Sequence, residues 1–505
     1  MLDPLKFPEL LTPAEMARAD RAAIAAGTPG IVLMERAGMA VAREAARRIR
    51  SRGRIVVLCG PGGNGGDGFV AARLLGGWGF RVELGLLGPR EALRGDAALA
   101  AGRFAGDVRS ASECDPAGAD GVIDALFGAG LARDLDGEAK AIVARVNAFA
   151  RAGGTVVAVD VPSGVDGATG KVRGIAVEAT ASVTFFRLKP GHLLEPGRGL
   201  AGDIRLADIG IPAAALPAIG PRAFVNGPAL WRAALPRLGA QSHKYARGAA
   251  LVLSGPAHQT GAARLAARAA LRVGAGIVSL AAPPESVAVD AAHLTAIMVA
   301  PFEGAAGFET LLDDARRRAV ALGPGAGAGA ALRALVAAAL TRPVDERTIV
   351  LDADALTSFA GEAEALAVLI RRGGHRVVLT PHEGEFARLF KGAPGVEAGD
   401  DKLTRARAAA RLMGAVVVVK GADTVVAAPE GRAAIGWDLP PTLATAGSGD
   451  VLAGFVTGLA AQGVPPFEAA SAAVWLHGAA ARAFGPGLIA EDLPEALPGV
   501  LRALG

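Results

Sequence analysis

Two glycine-rich stretches of this 505-residue chain place carboxylates where a phosphate group could be held. The first is Gly60-Pro61-Gly62-Gly63-Asn64-Gly65-Gly66-Asp67-Gly68, and the second is Thr445-Ala446-Gly447-Ser448-Gly449-Asp450. Glycines let backbone N–H groups approach a ligand closely, and a helix that starts nearby adds the positive end of its dipole, so each stretch suits an anion. In the second, Asp450 stands at the edge of that anion site. Phosphoryl transfer to a hydroxyl needs this arrangement: amides steady the transferring group while a carboxylate takes the hydroxyl proton. A glycine-rich turn can equally be a tight strand-to-helix connection, and Asp450 can equally be favourable charge at a helix start. Asn64 and Asp67 weigh towards a ligand site, because open α/β sheets bind ligands at the carboxyl ends of strands.

More polar groups end neighbouring apolar runs. Asp124 precedes Leu126-Phe127-Gly128-Ala129-Gly130, Asp160 lies in Val159-Asp160-Val161-Pro162-Ser163-Gly164, and Lys189 opens Lys189-Pro190-Gly191; all three are expected to face the crevice of the first glycine loop. Asn64, Asp124 and Ser163 offer oxygen ligands with a single formal negative charge, which suits a monovalent cation better than zinc. The alternative is that the two aspartates cap the turns that follow them. In the second half, Lys420-Gly421-Ala422-Asp423-Thr424 follows an apolar run and could meet a nucleotide's phosphates. Gly323-Pro324-Gly325, Leu351-Asp352-Ala353-Asp354 and Thr380-Pro381-His382-Glu383 end similar runs.

The elements that must position these groups alternate. Thr12, Pro13 and Glu15 have capping-box spacing and predict a helix to about Gly27. Apolar runs at 55–59, 82–87, 121–126 and 155–161 read as strands, with helix-like segments at 69–75 and 140–150, and 182–186 and 203–207 as an edge of the same sheet. Prolines at 212, 217, 221 and 228 interrupt the pattern, which puts a domain boundary near Gly220. A second series has strands at 249–253, 277–281, 319–322, 348–351, 376–379 and 416–419, and helices at 262–273, 331–340 and 451–459. Both halves therefore read as α/β domains, 1–220 and 221–505, each with a parallel sheet wrapped by helices.

Bulk properties narrow the function. Hydrophobic residues make up 51% of the chain but aromatics only 4%, so the cores must be built from many small aliphatic side chains. The net charge of +4, with no basic block, gives no sign of a nucleic-acid partner. Cys59 and Cys114 are too few for a disulfide framework and read as buried thiols of a cytoplasmic protein. Long apolar stretches are broken before they could span a bilayer, so no membrane association is expected.

Taken in order, 11–12, 34–38, the Asn-Gly-Gly-Asp-Gly loop, Leu-Phe-Gly-Ala-Gly and Asp-Val-Pro-Ser-Gly-Val-Asp resemble the NAD(P)H-hydrate epimerase family. The resemblance implies a Rossmann-like three-layer domain. It also implies that Gly63, Asn64, Gly65, Gly66 and Asp67, then Gly128, Ala129, Gly130, Leu131, Ala132, Arg133 and Asp134, and Asp160 contact the hydrated nucleotide. Asn64, Asp124 and Ser163 would bind potassium. Inverting a ring carbon that carries both hydroxyl and nitrogen needs proton transfer, and Asp160 is the expected general acid/base. Residues 243–485 resemble the ADP-dependent NAD(P)H-hydrate dehydratase family, which implies a ribokinase-like α/β domain. There Ala263, Gly325, His382 and Asp450 would contact the hydrate, with Asp450 as catalytic base. Lys420, Gly421, Ala422, Asp423, Thr424 and Gly449 would contact ADP, the phosphoryl donor, which arrives with Mg²⁺. Departures from the families' usual residues fall at Gly63, Gln259, Thr357 and Ser448. The expected partners are hydrated NADH or NADPH and ADP, in a homo-oligomer. The competing reading is a ribokinase-like small-molecule kinase fused to a non-catalytic binding module.

Overall fold

The structure, a computed structural model, describes residues 2–505 apart from 238, 240–242, 344–346, 398 and 400. The chain divides into two compact units, Met1–Ala223 and Phe224–Gly505.

In the first unit the capping box forms as its spacing predicts. The Glu15 carboxylate accepts from the Thr12 amide at 2.8 Å and the Thr12 hydroxyl from the Glu15 amide at 3.3 Å, opening the helix Pro13–Ala25. Seven strands follow: β1 (Arg54–Cys59), β2 (Arg81–Leu86), β3 (Val108–Ser110), β4 (Gly121–Ala125), β5 (Val156–Val159), β6 (Ala181–Phe185) and β7 (Asp203–Ala207). They lie in the order β3-β2-β1-β4-β5-β6-β7, all parallel. Alternate β1 residues feed opposite cores. Ile55, Val57 and Cys59 pack with the helices Gly30–Arg48 and Gly63–Gly77, whereas Val56 and Leu58 pack with Ile142, Val143 and Val146 of the helix Gly137–Arg151. Because β2 and β4 flank β1 on opposite sides, the loops after β1 and β4 diverge and leave a crevice at the strands' carboxyl ends. The two late runs do form the edge, as β6 and β7; β3 is a strand the apolar pattern did not reveal.

The second unit repeats the logic with β8 (Ala249–Leu253), β9 (Ile277–Ala282), β10 (Met298–Pro301), β11 (Arg317–Leu322), β12 (Thr348–Leu351), β13 (Arg376–Leu379), β14 (Val416–Val419), β15 (Val425–Ala427) and β16 (Ala433–Gly436). Their order is β16-β15-β14-β13-β12-β11-β8-β9-β10, parallel up to β14 and antiparallel through the β14-β15-β16 meander. The core beneath is rich in alanine and valine, as the low aromatic content requires. The helix Ser448–Ala461 crosses Thr260–Arg272 at very short range, because a Cβ on Gly454 would sit 2.2 Å from the Ala266 carbonyl oxygen and one on Gly458 would sit 2.4 Å from that of Ala270. This i, i+4 glycine stripe lets the two backbones meet and fixes where the helix start lies. Among the described residues no helix is long and apolar enough to cross a membrane.

Candidate active sites

Both glycine-rich stretches correct one expectation. Their composition predicts loops ahead of helices, but Gly63-Asn64-Gly65-Gly66-Asp67-Gly68 forms the first turns of the helix Gly63–Gly77, and Ser448-Gly449-Asp450 is the first turn of Ser448–Ala461. Glycine's poor helix propensity hides such starts from a pattern reading. The physical consequence is kept, since the first amides of a helix have no partner within it.

In the first unit a cavity of about 300 Å³ is lined by Gly63, Asn64, Asp67, Asp160 and Lys189, together with Asp20, Asp96, Met16, Met34 and Phe185. Asp160 follows β5 in left-handed backbone, φ +65°, a conformation aspartate tolerates better than most residues. Its Oδ1 accepts from Lys189 Nζ at 2.5 Å and from the Thr184 hydroxyl at 2.9 Å, and the Ala129 amide approaches Oδ2 at 3.4 Å. Burial would raise this carboxyl, but the ammonium of Lys189 and the other polar partners prevail and hold it below the usual carboxylate range. His192 completes the support. Its Nε2 donates to the Asp160 carbonyl at 2.9 Å and its Nδ1 accepts from the Lys189 amide at 3.0 Å, while burial pushes its pKa down to about 4, so the ring is neutral.

Asp124 does not face this cavity, contrary to expectation. It is fully buried, with Oδ1 accepting from the Ser163 hydroxyl at 2.6 Å and Oδ2 from the Ser163 amide at 2.8 Å. Burial raises its pKa to about 6 against the pull of those bonds. No side-chain cation pairs with it among the described residues. Asn64 donates from Nδ2 to the Val159 carbonyl at 2.7 Å, and its Oδ1 lies beside Gly128, where a Cβ would come within 2.3 Å. The residue before Gly128, Phe127, donates its amide to Ser163 Oγ at 2.8 Å. A buried carboxylate with neutral oxygens around it fits a hard, singly charged cation.

The other expected contacts divide. Gly65 and Gly66 are packed inside, against Gly60 and Met34. Gly128 lies against the Asn64 side chain and the Ala129 amide faces Asp160, while Gly130, Ala132, Arg133 and Asp134 are exposed, and Leu131 half-buried, on the loop that follows. Arg133 and Asp134 line a separate depression with Leu87 and Phe127. Asp20 was missed from the sequence, although an acid set between Met16 and Ile24 at helical spacing was a signal available there.

In the second unit Lys420, at the end of β14, donates to Asp352 Oδ1 at 2.8 Å and lies 3.9 Å from Glu385 Oε2. Gly447, with φ +82°, turns the chain into the helix so that Gly449 passes Lys420 closely; a Cβ there would stand 3.3 Å from Nζ. Asp450 follows in the same turn. Burial, then the charge of Asp352, raises its carboxyl to about 7, opposed by Lys420. His477, buried and with its pKa lowered to about 4, donates from Nε2 to the Ser448 carbonyl at 3.0 Å and anchors the turn.

Of the expected nucleotide contacts, Gly421 and Ala422 are exposed and Lys420 is half-buried. Asp423 and Thr424 point inward: Asp423 accepts from Lys402 Nζ at 2.7 Å and the Thr424 hydroxyl donates to the Gly421 carbonyl at 2.6 Å, so their side chains brace the turn. His382 caps the helix Glu383–Leu389 through Nδ1 and bridges to Lys420 through the backbone, with its ring otherwise exposed. Gly325, φ +63°, closes on the Gln259 carbonyl at the start of Thr260–Arg272. Ala263 is fully buried in the core, so its side chain faces away from solvent. Lys402 was not foreseen from the sequence.

Two α/β units, each with a glycine-rich helix start near a lysine-paired carboxylate, have the make-up of a nucleotide-handling enzyme with two sites. The chain belongs to the family of bifunctional NAD(P)H-hydrate repair enzymes, being 38% identical to the one named Nnr of Moorella thermoacetica over 98% of this chain and 97% of that protein. The Nnr proteins of Methanothermobacter thermautotrophicus (34%; 97% of this chain, 95% of the relative) and Mycobacterium tuberculosis (37%; 90% and 89%) are similar along nearly their whole lengths. Residues 250–497 match the family described as NAD(P)H-hydrate dehydratase, and 30–191 that described as YjeF-related protein N-terminus. Among solved structures, the ADP/ATP-dependent NAD(P)H-hydrate dehydratase of Bacillus subtilis, co-crystallized with ATP/Mg²⁺, is 30% identical over 54% of this chain and 96% of that one, with a TM-score of 0.46.

Proposed function

We propose that this chain repairs hydrated NADH and NADPH, with an epimerase in residues 1–220 and an ADP-dependent dehydratase in residues 221–505. The first interconverts the R and S hydrates; the second converts the S hydrate to NAD(P)H with release of AMP and phosphate. The observation that carries this reading is the placement of Asp450 on the first turn of Ser448–Ala461, beside the Lys420–Asp352 pair.

The amides of Gly449 and Asp450 at the helix start steady the β-phosphate of ADP, and Lys420 meets its charge. Asp450, ionised in a useful fraction at neutral pH, takes the proton of the ring hydroxyl. The oxygen then attacks the β-phosphorus and AMP leaves. Phosphate departs from the ring carbon with the electrons of that C–O bond, the ring nitrogen's lone pair compensates, and loss of a proton from the adjoining carbon restores the ring double bond. Mg²⁺, when bound, offsets the charge of the phosphates. In the first unit Asp160 exchanges the hydroxyl proton, with Lys189 and Thr184 orienting it. Asn64, Asp124 and Ser163 would hold potassium, which when bound balances the buried Asp124 carboxylate. The buried thiols Cys59 and Cys114 suit a reducing cytoplasm, and a homo-oligomer belongs to the same reading.

The test is stoichiometry. Given S hydrate and ADP, the chain should form one AMP and one phosphate for each NADH recovered; a phosphorylated product that persists without NADH would instead mark a small-molecule kinase.

A further inference from the structure

The first-unit cavity holds more carboxylates than this mechanism uses. Asp160 reaches it from the end of β5, Asp67 from the helix Gly63–Gly77, Asp20 from the helix Pro13–Ala25 and Asp96 from the helix Gly95–Gly102. Asp67 is only 9% exposed and lines the cavity, yet neither its carboxyl nor that of Asp20 has a hydrogen-bond or ion-pair partner among the described residues. A buried polar group without a partner is costly unless a ligand or a proton satisfies it. Asp160 is the exception, with Lys189 and Thr184 both on Oδ1. One cavity thus holds an ion-paired carboxylate and, on a different element, a carboxyl with no cation bonded to it.

Epimerising a carbon bonded to both hydroxyl and ring nitrogen asks for two such groups. When the C–N bond opens, the hydroxyl must lose a proton as the C=O bond forms, and the nitrogen that takes the C–N electrons must gain one. Resting on the epimerase reading of this unit, we propose that Asp20 is its second proton-transferring residue, serving the ring nitrogen while Asp160 serves the hydroxyl. Asp160 takes the O–H proton, the oxygen electrons form the carbonyl, the C–N bond breaks, and nitrogen takes the proton of the Asp20 carboxyl. Rotation about the adjoining C–C bond presents the other face of the carbonyl. Closure then runs in reverse: nitrogen attacks the carbonyl carbon and returns its proton to Asp20, while the oxygen recovers one from Asp160. No oxidant or further reactant enters.

Electrostatics agree with this division. Burial raises the Asp20 carboxyl, the charge of Asp160 adds to this, and Lys189 and Arg21 oppose it. Asp67, whose own carboxyl burial holds well above the usual range, and Asp96 face the same space from their own helices; with Asp20 raised and Asp160 lowered, Asp20 keeps its proton to a higher pH than Asp160 does. Two carboxyls with separated pKa values divide acid and base roles.

The experiment follows interconversion of purified R and S hydrates by chromatography, without ADP, across pH, after subtraction of the uncatalysed rate. The full-length chain should give a bell-shaped profile. Asp20→Asn should lower kcat by about 10²-fold or more with KM little changed, and should lose the alkaline limb; Asp20→Glu should recover part of the rate and that limb. Dehydration of the S hydrate with ADP by the same Asp20→Asn chain at the unmodified rate shows that the second unit is intact, and an unchanged thermal transition in near-UV and far-UV circular dichroism shows that the first unit is folded. An Asp20→Asn chain that epimerises at the unmodified rate, or slows with its alkaline limb intact, overturns the proposal. If the unmodified chain fails to interconvert the hydrates, the epimerase reading itself is wrong and the role of Asp20 falls with it.

Discussion

At the scale of single residues, the two expected catalytic aspartates sit in opposite electrostatic settings. Asp160 is paired with Lys189, a lysine only 1% exposed, so Lys189→Met leaves a buried carboxylate uncompensated and should lower stability by about 3–5 kcal/mol in urea unfolding at neutral pH. Because the folded pKa of Asp160 lies below its unfolded value, the pair's contribution is full above about pH 4 and is lost as pH falls through the folded value; the variant's deficit should therefore shrink in acid. Asp450 is the reverse case, raised to about 7. Its contribution is present below its unfolded pKa and lost as pH rises through 7, so Asp450→Asn should raise Tm most at pH 8 while abolishing turnover and sparing ADP binding. In the unmodified chain, kcat/KM for dehydration should rise with pH through about 7 as the base ionises, which a pH–rate profile checks. Asp160, Asp450 and Lys420 could be found in the sequence because each follows an apolar run or sits in a glycine-rich stretch. Asp20 offered only its helical spacing between Met16 and Ile24, because nothing in the sequence says that the helix Pro13–Ala25 borders the same cavity as Asp160, and Asp124 misled because a strand-end position does not say which way the side chain turns.

At the scale of elements, the proposed chemistry sits at helix starts, and close packing holds them. Gly454 and Gly458 set the approach of Ser448–Ala461 to Thr260–Arg272, so Gly454→Val must push the two backbones apart. The expected outcome is a loss of about 1–3 kcal/mol in chemical unfolding and a raised KM for ADP, because the amides of the first turn shift with the helix. A variant with unchanged stability and KM would show that this crossing does not set the site. The capping box at Thr12 was plain in the sequence because it is local chemistry. The true starts at Gly63 and Ser448 were hidden, since a glycine-rich first turn resembles a loop until tertiary contacts order it.

At the scale of the whole molecule, alternating apolar runs and helical segments were enough to predict two parallel α/β sheets, with β6 and β7 as the edge of the first. The pattern did not reveal β3, β10 or the β15–β16 arms, which are short and depend on their neighbours rather than on a strong apolar run of their own. In each sheet the order reverses next to the strand that begins the parallel series, β1 in the first and β8 in the second, which opens a crevice there. Two such crevices on one chain matter chemically, because a dehydratase acting on one epimer strands the other. The direct test supplies an equal mixture of R and S hydrates with excess ADP and follows dihydronicotinamide absorbance. The account predicts recovery of all the hydrate supplied, faster than uncatalysed epimerisation permits, and a plateau at the S share for Asp160→Asn. An unmodified chain that stops with the R hydrate unconsumed would contradict it.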